Sequence, residues 1–319
     1  MATLTTVTTL SFRTDSAEMV SDTVDQAIAW IDLAACDRPD LILLPEGFAG
    51  GNAQCATSEG MSCSSAEPID GPTVSRIAER ASRHRCYICA SVYLERDGKR
   101  FNSAVMLDRD GKVMGVYDKV HPPILELEQG RNIVPGHEPV VFETDFGRVG
   151  VIICFDLNFD TLRQAYARLE PDLLLFPSMF TGGMLARSWA LLNGCYLVSA
   201  FGDSGSVFVN PLGRLLATSA WPRSRILTRR INLDYAVFHL DYNQRKLDDL
   251  RRRYGAVIDM EIGEEEGRFI LTCCDGTRTV EDICREFDLE TMGSFFARSL
   301  EARRQAMEGG PIPVGPPQF

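Results

Sequence analysis

Histidine is scarce: His84, His121, His137 and His239 are the only four in 319 residues, and no two are spaced as a metal-ligand pair. Cys86 and Cys89 form a CxxC, but it lies in the apolar run CYICASVYL. On a strand their side chains point to opposite faces, so one metal ion cannot easily take both. No second CxxC completes a zinc site, and the ten cysteines are scattered rather than dense enough for a disulfide framework. Basic residues are in deficit. Lys and Arg number 33 against 44 Asp and Glu, a net charge of -11, which argues against a general nucleic-acid surface. No apolar run approaches the roughly 20 residues needed to span a bilayer. The opening stretch MATLTTVTTLSFRTDSAE has no basic region before its apolar residues. The expectation is therefore a cytoplasmic chain without a secretory signal, its thiols kept reduced.

What is present is an ordinary globular composition, 45% apolar and 24% charged. The patterning alternates. TLTTVTTLSF reads as a strand, residues 16–36 as a helix with Val20, Val24, Ala27, Ile28 and Ile31 at helical spacing, and LILLPE as a short buried strand. The small, polar, Gly-rich stretch around residues 50–67 reads as a long loop. TVSRIAERASRH is helical, CYICASVYLE a strand, and FNSAVMLDRDGKVMGVYDK a hairpin about Asp110-Gly111. Two strands about Gly147 follow, then helix FDTLRQAYARL, strand DLLLFPS, helix MLARSWALLNG and four strand candidates. The charged stretch LDYNQRKLDDLRRRYG reads as a helix. Buried strands alternating with helices, with hairpins added, imply an α/β domain with mixed sheets. From about Val257 the style changes to a hairpin and two helices, then a Pro/Gly-rich tail. The expected organisation is a domain over 1–255, an α/β extension over 256–303 and a loose tail over 304–319.

Three residues at strand ends stand out. Cys154 closes VGVIIC where a helix should begin, a position at which open α/β sheets place their sites and a helix N-terminus favours thiolate and oxyanion. From position alone, a buried core cysteine and a nucleophile fit equally well. Glu46 ends LILLPE, where a carboxylate directly after an apolar run is costly without a partner. Lys119 follows the strand ending VYD. Singly, Glu46 and Lys119 fit solvated strand ends. Together the three supply a nucleophile, a base and a positive charge for an oxyanion.

With these motifs the chain resembles the nitrilase superfamily of carbon–nitrogen hydrolases. The matching stretches are LILLPEGF, VYDKVHPP and GRVGVIICFDLNF, supported by IDGPTVSRIAERA, by the FN of KRFNSAVML and by VPGHEPVVFETDFGRVGV. The resemblance runs from near the N-terminus to about Gly255. It implies a four-layer αββα sandwich and a Glu46-Lys119-Cys154 triad that uses no metal or other cofactor. It also implies a second glutamate on the loop HPPILELEQG, either Glu126 or Glu128. The pattern departs from the family after Cys154: if Asn193 aligns, Trp189 and Leu192 replace an Arg and a Glu, and the Gly-x-Ser strand is altered.

The resemblance thus implies cysteine-dependent hydrolysis of a non-peptide C–N bond in a small molecule, through a thioester. The Phe155 N–H would join Lys119 in holding the oxyanion, and Phe180 and Thr181 would help shape the pocket. Cys-Phe-Asp favours the amidase and carbamoylase branches over true nitrilases. The alternatives are nitrile hydrolysis, acyl transfer to an amine, a Cys–His protease using His121, and a catalytically silent binding protein. A homodimer or larger homo-oligomer is expected.

Overall fold

The computed structural model describes residues 3–12, 20–49, 56–57, 60–61, 66–127 and 133–311. Glu128, much of the Gly-rich loop and the end of the tail lie outside the described residues. Two compact units divide the chain, Thr5–Ile231 and Asn232–Phe319 together with Met1–Leu4.

In the first unit the chain runs β1 (Leu4–Leu10), α1 (Val20–Ala34), β2 (Leu41–Leu43), two short strands β3 (Ala56–Thr57) and β4 (Gly60–Met61), α2 (Pro72–His84), β5 (Tyr87–Arg96), β6 (Lys99–Leu107) and β7 (Val113–Asp118). It continues through α3 (Ile124–Leu127), β8 (Val141–Thr144), β9 (Gly147–Val151), α4 (Asp160–Leu169), β10 (Leu173–Ser178), α5 (Gly183–Asn193), β11 (Tyr196–Phe201), β12 (Val207–Val209), β13 (Leu215–Thr218) and β14 (Ile226–Asn232). Two six-stranded sheets result, ordered β14-β1-β2-β5-β6-β7 and β13-β12-β11-β10-β9-β8.

Helices α1 and α2 cover the first sheet, with Ile31, Val74 and Ile77 packed on Ile42, Ile88 and Val105. Helices α4 and α5 cover the second, with Leu162, Trp189 and Ala190 packed on Leu174, Phe176 and Leu197. The sheets face each other: the Thr9 hydroxyl donates to the Ser199 carbonyl at 2.5 Å, and the Ser11 and Ser206 hydroxyls are 2.6 Å apart. The architecture is the expected αββα sandwich.

Local chemistry explains the punctuation. The Glu67 carboxylate accepts the first-turn N–H groups of Thr73 and Val74 at 3.1 and 2.9 Å, so α2 is capped by a side chain ahead of its Pro72 start. Between β6 and β7, Asp108 Oδ1 accepts the N–H groups of Asp110 and Lys112 at 2.9 and 2.8 Å. Gly111 there has φ +79°, and a Cβ would lie 2.4 Å from the Ala78 carbonyl oxygen, so only glycine fits.

β2 is parallel to both β1 and β5, and β9 and β11 are both parallel to β10. β6 is antiparallel to β5 and to β7, so β7 runs in the direction of β2. The carboxyl ends of β2 and β7 therefore meet at one edge of the first sheet, and those of β9 and β10 at one edge of the second.

In the second unit, β15 (Tyr235–His239) and β16 (Ile258–Gly263) flank β17 (Arg268–Cys273) in an antiparallel sheet. Helices α6 (Leu247–Tyr254), α7 (Val280–Phe287) and α8 (Met292–Glu308) accompany it. Phe238, Leu250, Phe269, Leu271, Val280 and Ile283 form its core. Because β15 hydrogen-bonds to β17, residues 232–255 cluster with the hairpin and helices that follow them. Regular α-helix in the charged segment begins only at Leu247, after a 3-10 turn at Gln244–Lys246.

Candidate active site

Beyond β2 the chain passes Leu44 and Pro45 to Glu46, whose side chain turns inward and is only 3% exposed. Lys119 follows β7 and is fully enclosed; its ammonium donates to Glu46 Oε1 at 2.9 Å and to Glu126 Oε1 at 2.8 Å. Glu126 comes from the short helix α3. Asn102 of β6 adds a neutral donor, with Nδ2 2.9 Å from Glu46 Oε1 and 3.4 Å from Glu126 Oε2. The second oxygen of Glu46 accepts the Met179 N–H at 3.0 Å, just past β10. Glu46 thus joins segments from both sheets.

Burial alone would depress the basicity of Lys119. The charges of Glu46 and Glu126, and of the Cys154 sulfur once it ionises, outweigh it and hold the ammonium protonated well above the ordinary lysine range. Burial raises Glu126, as does Glu46; Lys119 and Asn102 pull the other way.

Cys154 sits beyond β9 at the start of a 3-10 turn, Cys154–Asn158. Its φ is +49°, in the left-handed region that costs an L-residue about 1–2 kcal/mol. The turn is held by Asp156, which is fully buried. Asp156 Oδ2 accepts the Ile153 N–H at 2.9 Å and the Tyr117 hydroxyl at 2.6 Å. Its Oδ1 accepts the His121 N–H at 2.8 Å and lies 3.3 Å from His121 Nδ1. The His121 ring stacks on Phe159, with centroids 3.8 Å apart. One carboxylate therefore ties the segment carrying Lys119 to the elbow carrying Cys154. Trp189 braces the same turn, donating from Nε1 to the Leu157 carbonyl at 2.9 Å.

Burial pushes the Cys154 thiol up to about 12, with Glu46 adding to the rise; Lys119 and the Met179 N–H oppose it. At neutral pH the sulfur is a thiol, and Glu46, which also hydrogen-bonds to it, stands ready as the base. The Phe155 N–H lies in the first turn of the 3-10 helix, where backbone donors lack intrahelical acceptors. The arrangement offers a nucleophile, a base beside it, and a buried ammonium with a backbone donor for an oxyanion.

Of the residues singled out in the sequence, Glu46, Lys119, Cys154 and Glu126 gather in one site, with Phe155 on the same elbow. Phe180 directs its ring at Phe176, 5.9 Å away edge-on, in the core beneath α4 and α5. Thr181 lines a cavity of about 410 Å³ with Met184, Arg187, Val207 and Leu215, a lining that does not include the triad. Glu128 lies outside the described residues. Asn102, Asp156, Tyr117 and the Met179 N–H carry contacts that the sequence reading assigned to none of them. Asn102 and Asp156 lay inside the matching stretches, but nothing in the spacing showed that a strand residue and an elbow residue would be fully enclosed. Among the described residues no group of three or more His, Cys, Asp or Glu side chains is placed to hold a metal ion, and no helix is long and apolar enough to cross a membrane.

A strained cysteine elbow at the rim of an αββα sandwich, facing a buried Glu–Lys pair, defines a cysteine hydrolase of the nitrilase-like class. Residues 11–237 match the family model described as carbon-nitrogen hydrolase, and the chain belongs to that family. It is 27% identical over 257 residues to the human omega-amidase NIT2, covering 73% of this chain and 87% of that protein. Among solved structures, Saccharomyces cerevisiae Nit3, of branch 10 of the nitrilase superfamily, superposes with a TM-score of 0.62 at 20% identity, over 80% of this chain and 96% of that one. An amidase from Nesterenkonia sp. gives 0.59 at 21% identity, over 78% and 96% of the two chains. The protein is a carbon–nitrogen hydrolase.

Proposed function

We propose that the protein hydrolyses a non-peptide amide of a small molecule through a thioester on Cys154. Glu46 takes the thiol proton as the sulfur attacks the carbonyl carbon. The resulting oxyanion is held by Lys119 and the Phe155 N–H. As the C–N bond breaks, protonated Glu46 gives its proton to the departing nitrogen, leaving an acyl thioester and free ammonia or amine. A water then loses a proton to Glu46 and attacks the thioester. The tetrahedral intermediate expels the sulfur, which recovers the proton, and the carboxylic acid leaves. Glu126 positions Lys119 by the second ion pair.

The observation that carries this reading is the 2.9 Å contact between the Lys119 ammonium and Glu46, beside a thiol that burial keeps protonated. A thiol that is not already ionised needs a base, and Glu46 faces it. The Cys-Phe-Asp elbow and the relatives named omega-amidases favour an amide over a nitrile. The eight described cysteines are all free thiols, which fits a reducing cytoplasm. Exposed Met184, Leu185 and Leu192 on α5 favour a homodimer through this helix, which mass photometry would register as a doubled mass.

The test is a screen of small amides, carbamoyl amino acids and matching nitriles for released ammonia, run with the wild type and Cys154→Ala. Release from an amide, lost in Cys154→Ala with the fold retained, supports the reading. Full activity in Cys154→Ala would end it, and activity on nitriles alone would move the substrate class.

A further inference from the structure

We propose that Asn102 is the positioning residue that keeps Glu46 ionised as the base. The inference rests on Cys154 and Glu46 acting as proposed above.

Asn102 and Lys119 are neighbours across the β6–β7 ladder, the Lys119 N–H donating to the Asn102 carbonyl at 2.8 Å. That pairing fixes the two side chains beside each other at the sheet edge. Asn102 is 1% exposed, so its amide works without water. Its Nδ2 reaches both carboxylates, at 2.9 and 3.4 Å, while its Oδ1 is buried with no hydrogen-bond partner among the described residues. Reversing the amide would aim its oxygen at two carboxylates, so the chemistry fixes the orientation. A buried amide that leaves its acceptor unpaired gives up stability, since an unsatisfied buried polar atom is costly. What it retains is a donor aimed at two negative groups.

The charge balance gives that donor its purpose. Glu46 is faced by Lys119 beyond β7, Glu126 from α3, Cys154 beyond β9 and the Met179 N–H beyond β10. On the β5 side, Ser91 accepts the Gly47 N–H at 3.2 Å, and Tyr93, paired across the ladder with Asn102, packs on Gly47. Two carboxylates share one ammonium, leaving an excess negative charge in an enclosed site. Without a further donor, one carboxylate takes up a proton more readily, and a protonated Glu46 cannot accept one from Cys154. Asn102 supplies that donor without adding charge.

The experiment compares the pH dependence of kcat/KM for the wild type, Asn102→Leu and Asn102→Asp on the amide that the screen identifies. Loss of a hydrogen bond to the anion raises the carboxylate pKa. The acid limb should therefore move to higher pH, by about one unit in Asn102→Leu and further in Asn102→Asp, where a third carboxylate faces the pair. Aspartate matches asparagine in volume and leucine keeps its branched shape at a larger volume, and circular dichroism identifies the folded variants. The pH dependence of Cys154 alkylation gives a second readout that does not depend on turnover. A folded variant with a lower rate but an unmoved acid limb in both readouts overturns the proposal and reduces Asn102 to packing. Activity persisting in Cys154→Ala would instead remove the catalytic reading itself.

Discussion

The Tyr117 hydroxyl donates to Asp156 Oδ2 at 2.6 Å, joining the strand that leads to Lys119 with the turn that follows Cys154. Both groups are fully buried. Burial first, and the adjacent Asp156 charge second, hold the Tyr117 phenol well above its ordinary range, so it remains a donor at any working pH. Tyr117→Phe should cost about 1.5–3 kcal/mol, the usual worth of a hydrogen bond to a charged group. Asp156→Asn should cost more, because an amide NH₂ then meets donors where a carboxylate oxygen accepted them. Differential scanning calorimetry checks the order. Equal melting temperatures for Asp156→Asn and the wild type would show that Asp156 does not hold the elbow.

Glu46→Gln separates two roles of one carboxylate. As the base, its loss should lower kcat/KM at least about a hundredfold. As a negative charge beside the sulfur, it disfavours the thiolate, so its removal leaves Lys119 opposed only by Glu126. The Cys154 titration should therefore fall from its position near 12. The thiolate fraction at mildly alkaline pH then rises even as turnover collapses. Ultraviolet thiolate absorbance, taken as the difference from Cys154→Ser, reads this directly. A titration that rises or stays fixed would show that the Glu46 charge does not act on the sulfur.

The convergence of Glu46, Lys119 and Cys154 was legible because each lies at or just past a strand end, and because the three motifs followed one another in the family's order. The αββα class was legible from alternating strands and helices. Asp156 was not, although it sits two residues from Cys154: a motif gives neighbours in sequence, whereas its partners Tyr117 and His121 come from β7 and the segment just beyond it. The same holds for Asn102, whose partners lie 56 and 24 residues away. Phe180 and Thr181 read in the sequence as pocket-shaping residues. The Phe180 ring instead packs edge-on against Phe176, and the segment turns locally, with the Ser178 hydroxyl accepting the Phe180 N–H at 3.0 Å and donating to the Phe180 carbonyl at 2.7 Å. That local turn has no periodic signature.

In the second unit, α7 begins with a reciprocal cap. The Thr279 hydroxyl accepts the Asp282 N–H at 3.2 Å, and Asp282 Oδ2 accepts the Thr279 N–H at 3.0 Å. Thr279→Ala should destabilise α7 by about 1 kcal/mol. Thr279→Ser, which keeps the acceptor, should recover most of it. Amide hydrogen exchange of Val280–Phe287 reports the change. Unaltered protection in Thr279→Ala would show that packing of Val280 and Ile283, not the cap, sets the stability of this helix.

Lys119→Met tests the centre of the site by leaving Glu46 and Glu126 without their shared cation. Removing one partner of a buried ion pair costs about 3–5 kcal/mol, and losing an oxyanion donor costs about 10²–10³ in turnover. The stability loss should depend on pH in a definite sense. Glu126 already has a folded-state pKa raised by burial, and without Lys119 it rises further. A group with a raised folded pKa stabilises the native state below its unfolded pKa, and that stability is lost as pH climbs through the folded value. In melting curves taken between about pH 5 and pH 8, the variant should thus lie closest to the wild type at the acid end and furthest below it at the alkaline end. Melting curves of both proteins across that range decide the matter. A gap that widens toward acid would mean that the two carboxylates do not share the lysine's charge in solution.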